Sequence, residues 1–338
     1  MISKRLSTVL FAVAASAAFG ASIAGPGAQY ATDAYPGFDS DARILATPKK
    51  EPGFFSWWSG PKKDNPADQL AWAQACEADR SYRAARKAYD ALVAEWPQSP
   101  EAPKAQLALA ELEFVKIQDA IRAFDEYKYL LDFYSTQCDY NTTVARLYEA
   151  AQQMRKDGKR ICYFRFANTS DVRRAFEAVV RRAPGASFAP AAMMAVAELR
   201  EDEGELEQAV EVYETLRNYY AGTSEAREAL GREAAARMRV LKDNSYNRYR
   251  CRDTIAFLKM AQLSNPDPEL KADLVRWQAE ATAHLEQEAY QAARFYDSKT
   301  RTRRSAICAY ERFLNEYPAS SHAEEVLARL RELQQEEK

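Results

Sequence analysis

Histidine is almost absent from this 338-residue chain. Only His284 and His322 occur, which leaves few ways to build a nucleophilic triad or a zinc site. Glycine is scarce wherever periodic sequence is found. Five glycines follow Pro66 (Gly158, Gly185, Gly204, Gly222 and Gly231), and none belongs to a GxGxxG or P-loop pattern. Short β-branched runs bounded by glycine turns do not recur, which excludes a parallel α/β fold. No block of five like charges exists, and 47 Lys+Arg against 49 Asp+Glu give a formal charge of −2, the wrong balance for a nucleic-acid binder. The five cysteines, Cys76, Cys138, Cys162, Cys251 and Cys308, contain no CxxC pair. What is present, 47% hydrophobic and 12% aromatic residues, suits a globular protein with a sizeable core.

Residues 1–24 carry Lys4 and Arg5 and then an uncharged run rich in Ala, Val and Leu, which reads as a secretory signal peptide. Cleavage sites fit before Ala21 and before Gly25. Its removal would take two cations and no acid, leaving a mildly acidic exported chain in which disulfides are chemically possible. No cysteine stands near either site to accept a lipid, so no N-terminal lipid anchor is expected. Residues 25–66 hold six prolines and five glycines and read as a flexible linker. Within it Phe54, Phe55, Trp57 and Trp58, beside Lys62 and Lys63, are candidates for a membrane or partner contact, with packing onto the first helices as the plain alternative.

From residue 67 to 335 the sequence predicts long helices joined by short turns. Ala85, Tyr89 and Pro97 stand at intervals of four and eight, and Ala306, Tyr310 and Pro318 repeat them. Val172, Phe176 and Pro184 fit the same frame, as do Ala209 and Tyr213 with Ala221 in the proline slot, and Ala123 and Tyr127 with Ser135 there. The aromatic positions lie 38, 49, 37 and 97 residues apart. A small residue four before an aromatic places both on one helix face, where the small one admits a neighbouring helix and the aromatic fills the gap. Met193, Val196 and Ala197 precede Tyr213 by 20, 17 and 16, and Trp72 and Ala73 keep the last two offsets before Tyr89. The unit is therefore a helical hairpin, in about five to six copies. The longer third interval implies an insertion near 158–170, where Ile161 to Phe166 alternate like a short strand or an ordered loop. The interval of 97 leaves room for a degenerate hairpin with Thr254 to Leu263 in its second helix.

No catalytic residue, cofactor or metal is expected. His284 with Glu280 or Glu288 has helical i, i+4 spacing, but one helix offers too few ligands for a closed site. Glu201, Asp202, Glu203 and Glu205 around Gly204 read as a solvated turn. Arginines gather at Arg173, Arg174, Arg181 and Arg182, at Arg248, Arg250 and Arg252, and at Arg301, Arg303 and Arg304. The plain reading is solvated helix ends, and the last group is a candidate docking point for acidic segments. Tyr129, Tyr134, Tyr219 and Tyr246 lie outside the repeat frame and are candidate contacts for an extended peptide.

Small residue, aromatic and proline at these intervals resemble the tetratricopeptide repeat (TPR), which implies an all-α, right-handed α-solenoid of helical hairpins. Glu288-Ala289-Tyr290, Ala306, Tyr310, Tyr317-Pro318 and Ala323-Glu324-Glu325 are similar to the last repeat of the BamD family, and Ala88-Tyr89, Glu95-Trp96-Pro97 and Ser99-Pro100-Glu101-Ala102 to its first. That resemblance implies a periplasmic scaffold at the outer membrane, whose partners are the β-barrel-inserting subunit and unfolded outer-membrane proteins. The chain departs from that family in lacking a lipidated cysteine. A periplasmic adaptor for wall synthesis or division is the alternative within the binding class, and a glycan-cleaving α-superhelical protein the alternative among enzymes.

Overall fold

The computed structural model describes residues 35–38, 49, 60–158, 168–243, 247–264, 266–298 and 303–335. Among them are thirteen α-helices and no strand. The chain divides into two compact units, 1–220 and 221–338.

The first unit contains α1 (Pro66–Ala78), α2 (Tyr82–Glu95), α3 (Ala102–Glu111), α4 (Ala120–Phe133), α5 (Tyr140–Gly158), α6 (Thr169–Arg182), α7 (Ala189–Asp202) and α8 (Leu206–Tyr219). Each packs chiefly on its sequence neighbours, the arrangement of stacked TPR-like hairpins. Helix starts follow local chemistry. Asn65 Oδ1 accepts from the Asp68 amide at 2.8 Å with Pro66 opening α1, and Asn168 Oδ1 accepts from the Ser170 amide at 2.8 Å at the start of α6. α3 does not simply stop at Glu111: residues Leu112–Ile117 continue it as a π-helical turn.

The repeat frame is the packing frame. Ala85, Tyr89, Ala123, Tyr127, Ala209 and Tyr213 are fully buried, and Val172 and Phe176 nearly so. The prolines do something else. Pro97 and Pro184 are exposed, and α2 and α6 end two residues earlier, because the residue before proline is pushed out of the helical region. α4 and α8 end at the same place in the frame although Ser135 and Ala221 fill the proline slot. All four share the bond that closes the last turn, from the seventh residue after the aromatic to the third: Trp96 to Leu92, Tyr134 to Leu130, Ala183 to Val179 and Tyr220 to Leu216. Trp72 departs from expectation. Ala73 is fully buried, whereas Trp72 is 42% exposed with Lys63 Nζ 5.5 Å above its ring, since α1 opens the described stack and no earlier helix covers that face.

The second unit contains α9 (Ser224–Asp243), α10 (Arg248–Leu263), α11 (Pro268–Asp297), α12 (Arg303–Glu316) and α13 (Ala323–Gln335). No glycine or proline interrupts α11 after Pro268, so its 30 residues serve two cores. Leu274, Ala281 and Leu285 pack with Met238, Leu241, Phe257 and Leu258, while Tyr290 and Ala293 pack with Ala306, Tyr310, Phe313, Val326 and Leu333. The long 213-to-310 interval is thus filled by α9, α10 and one continuous helix, α11. None of the described helices is long and apolar enough to cross a membrane. The signal peptide, Phe54, Phe55, Trp57 and Trp58, and the 161–166 stretch lie outside the described residues.

Candidate protein-binding site

The repeat aromatics carry a polar feature that spacing alone does not reveal. Tyr89 Oη donates to Glu77 at 2.8 Å, Tyr213 Oη to Glu201 at 2.6 Å and Tyr310 Oη to Asp297 at 3.1 Å. In each case an acid near the end of the first helix receives the hydroxyl of a buried ring on the second. Burial and then the neighbouring carboxylate push the Tyr310 hydroxyl up to about 12, so it stays a donor. A second stitch joins successive hairpins: Tyr134 Oη donates to the Pro97 carbonyl at 2.9 Å, and Tyr220 Oη to that of Pro184 at 2.8 Å. The offset of twelve or thirteen residues between acid and tyrosine was the available sequence signal.

In the acidic turn at 201–205 Asp202 and Gly204 are exposed, but the other three acids are paired. Besides Glu201, Glu203 receives Arg173 Nε at 2.7 Å and Glu205 binds Arg200. Glu177 ties the two arginines together, 2.7 Å from Arg173 Nη1 and 3.4 Å from Arg200 Nη2. Arg173, Glu177 and Arg200 are each under 5% exposed, so this is a buried ion network linking α6, α7 and the α7–α8 turn. Burial makes such charges costly unless each is paired, and pairing is what the acidic turn supplies. Arg182, from the same basic group, grips Asp132 of α4 through both carboxylate oxygens at 2.7 and 3.0 Å.

The tyrosines proposed as peptide contacts separate into two kinds. Tyr134 is buried and used in the stitch. Tyr129 and Tyr219 instead meet residues from the segment read as linker. Tyr35, Pro36, Gly37 and Phe38 form a tight turn, closed by the Phe38 amide to the Tyr35 carbonyl at 3.2 Å, with proline second and a positive-φ glycine third as a type II turn requires. This turn lies on α8. The Tyr35 ring sits 5.6 Å from that of Tyr219, and its hydroxyl hydrogen-bonds Tyr220. Arg181 of α6 lies 5.5 Å from the Phe38 ring. Contact at Gly37 is close: a β-carbon there would stand 2.7 Å from Val212 Cγ2 and 2.8 Å from the Gln208 carbonyl oxygen.

Lys49 occupies a second position on the same series of helices. Its Nζ is 2.6 Å from Asp90 of α2, 3.0 Å from Glu126 of α4 and 5.4 Å from the centroid of Tyr129. Buried Gln106 of α3 holds the Glu126 carboxylate, donating at 2.7 Å. Burial works against the Lys49 charge, but Glu126 and Asp90 outweigh it and hold the ammonium above its ordinary pKa.

Arg303 and Arg304 are exposed on the first turn of α12 in the second unit, and Arg301 and Tyr246 lie outside the described residues. His322 stacks on Tyr290 with ring centroids 4.0 Å apart, and among the described residues no three His, Cys, Asp or Glu side chains converge as metal ligands. Cys76, Cys138, Cys251 and Cys308 are free thiols.

No family model matches the chain, and no curated protein matches it. Solved structures do. One is a Podosopora anserina protein described as a kinesin light chain with nearly identical TPR-like repeats, at 14% identity and a TM-score of 0.28, covering 61% of this chain and all of that one. Another is a tetratricopeptide repeat protein from Parabacteroides merdae, at 11% identity and a TM-score of 0.29, covering 79% of this chain and 98% of that one. The fold is that of TPR-like hairpins. The helices and their packing frame, rather than these similarities, establish it.

Proposed function

We propose that the chain is a scaffold that works by binding other proteins, in the manner the BamD resemblance implies: held in the periplasm beside the outer membrane, supporting insertion of β-barrel proteins. The observation that carries the binding reading is the repeated hairpin frame, in which the small and aromatic positions are spent on packing while the other faces of each helix are left to carry contacts, as the Lys49 and Tyr35–Phe38 positions illustrate. The finer reading is supported by the terminal repeats, whose Glu95-Trp96-Pro97 and Tyr317-Pro318 endings resemble that family's.

Depletion of the protein, followed by quantification of outer-membrane barrels against total envelope protein, tests the assignment. Selective loss of barrels is the expected result. Unchanged barrels would refute the BamD-like role while leaving the scaffold reading in place, and co-purification with wall-synthesis proteins in place of a barrel-inserting subunit would redirect it to the adaptor role.

A further inference from the structure

The second helices of the first four hairpins carry two recognition positions, and both are filled by the chain itself. Near the first two hairpins, Asp90, Glu126 and Tyr129 surround an ammonium with two carboxylates and a ring. Glu126 is held by a buried glutamine from a third helix, so the position is built rather than improvised from flexible surface acids. Near the third and fourth hairpins, Arg181, Val212 and Tyr219 receive a turn so closely seated that only glycine fits at its third residue. Phe38 and Lys49, eleven residues apart in sequence, thus sit on later and earlier hairpins respectively.

From this we infer that the face formed by α2, α4, α6 and α8 is a peptide-binding surface occupied in cis by residues 35–38 and Lys49, and that its partners carry the same signature: aromatic-Pro-Gly-aromatic, then a lysine eleven residues on. The inference rests on the scaffold reading and adds to it a regulation, since a partner engages this face only by displacing the segment. A tethered segment acts at an effective concentration on the order of 1 mM. For an intrinsic Kd of about 100 µM, free peptide therefore binds the occupied chain about tenfold more weakly than the vacated one.

The test uses the full chain and a fluorescent synthetic peptide with the sequence of residues 33–50, read by anisotropy. In the released variant Gly37→Val/Lys49→Glu, whose changes lie outside every helix, the peptide is expected to bind about tenfold tighter than to the unaltered chain. Adding Asp90→Ala and Glu126→Ala should abolish that gain, with circular dichroism reporting whether helix content is retained. If those changes cost helix content, Glu126→Gln alone takes their place and should weaken peptide binding severalfold. Equal affinity for the unaltered and released chains, or no binding to either, overturns the inference. Neither result bears on barrel assembly, and unchanged barrels on depletion would leave the cis occupancy standing.

Discussion

At the level of single residues, one frame position is decided by backbone rather than side chain. Nine residues before the repeat aromatic the chain must turn through the left-handed region: Gly204 does so at φ +80°, but Arg80 and Gln118 do so at +58° and +61°. The same closing bonds follow, Glu205 to Arg200 and Ser81 to Cys76, and Asp119 to Glu113 one residue wider because of the π turn. A side chain in this conformation is strained, so Arg80→Gly and Gln118→Gly should each stabilise by about 1 kcal/mol, and Gly204→Ala should cost about as much, measured by thermal unfolding. Glu113 makes a separate prediction. It is almost fully buried, its Oε2 accepts no hydrogen bond, and desolvation raises its pKa despite Arg86 at 3.7 Å. The folded state therefore holds that proton more tightly than the unfolded one, and stability is lost as pH rises from the ordinary carboxylate range through the raised value. Glu113→Gln should raise the melting temperature at pH 7, with the advantage vanishing below about pH 4. An equal gain at both pH values would show that charge is not the cause.

Among the elements, the interfaces within and between hairpins are where sequence and structure diverge in instructive ways. The positions of Ala85, Tyr89, Ala209 and Tyr213 were readable because packing needs apolar volume at a fixed helical spacing, and burial of a large side chain contributes about 2–3 kcal/mol at each place. Arg173, Glu201, Glu203 and Glu205 read as wet from sequence because their pairing is a tertiary fact: only the α6–α7 contact brings Glu203 to Arg173. Likewise Tyr35-Pro36-Gly37-Phe38 has the composition of a turn, but nothing in the sequence says that α8 lies beneath it. The buried network is open to test. Glu177→Ala leaves Arg173 and Arg200 short of their shared carboxylate, and breaking a buried pair from one side costs about 3–5 kcal/mol. Glu177→Gln, which keeps shape and hydrogen-bonding capacity, should cost less. Chemical denaturation of both variants checks the order, and equal losses would mean that volume rather than charge holds the interface.

Over the whole molecule, stability should vary with how many sides of a helix are covered, because in a chain of stacked hairpins each element is supported only by those beside it. α7 buries ten of its fourteen residues, including Met193, Val196, Ala197 and the stem of Arg200. α13 buries only Val326 and Leu333, and is tied down mainly by Arg329 to Asp297 at 2.9 and 3.0 Å. Arg329 in that pair is partly open to solvent, so it contributes modestly, and it holds the Asp297 carboxyl below its usual range. Stability from Asp297 is therefore present above the ordinary carboxylate pKa and lost as pH falls through the depressed one. Amide hydrogen exchange should accordingly show the strongest protection in α7 and the weakest helical protection in α13, with α13 loosening further on acidification. Protection rising uniformly across all helices would mean that the chain opens only as a whole, and that its repeats are not the separate packing units their spacing describes.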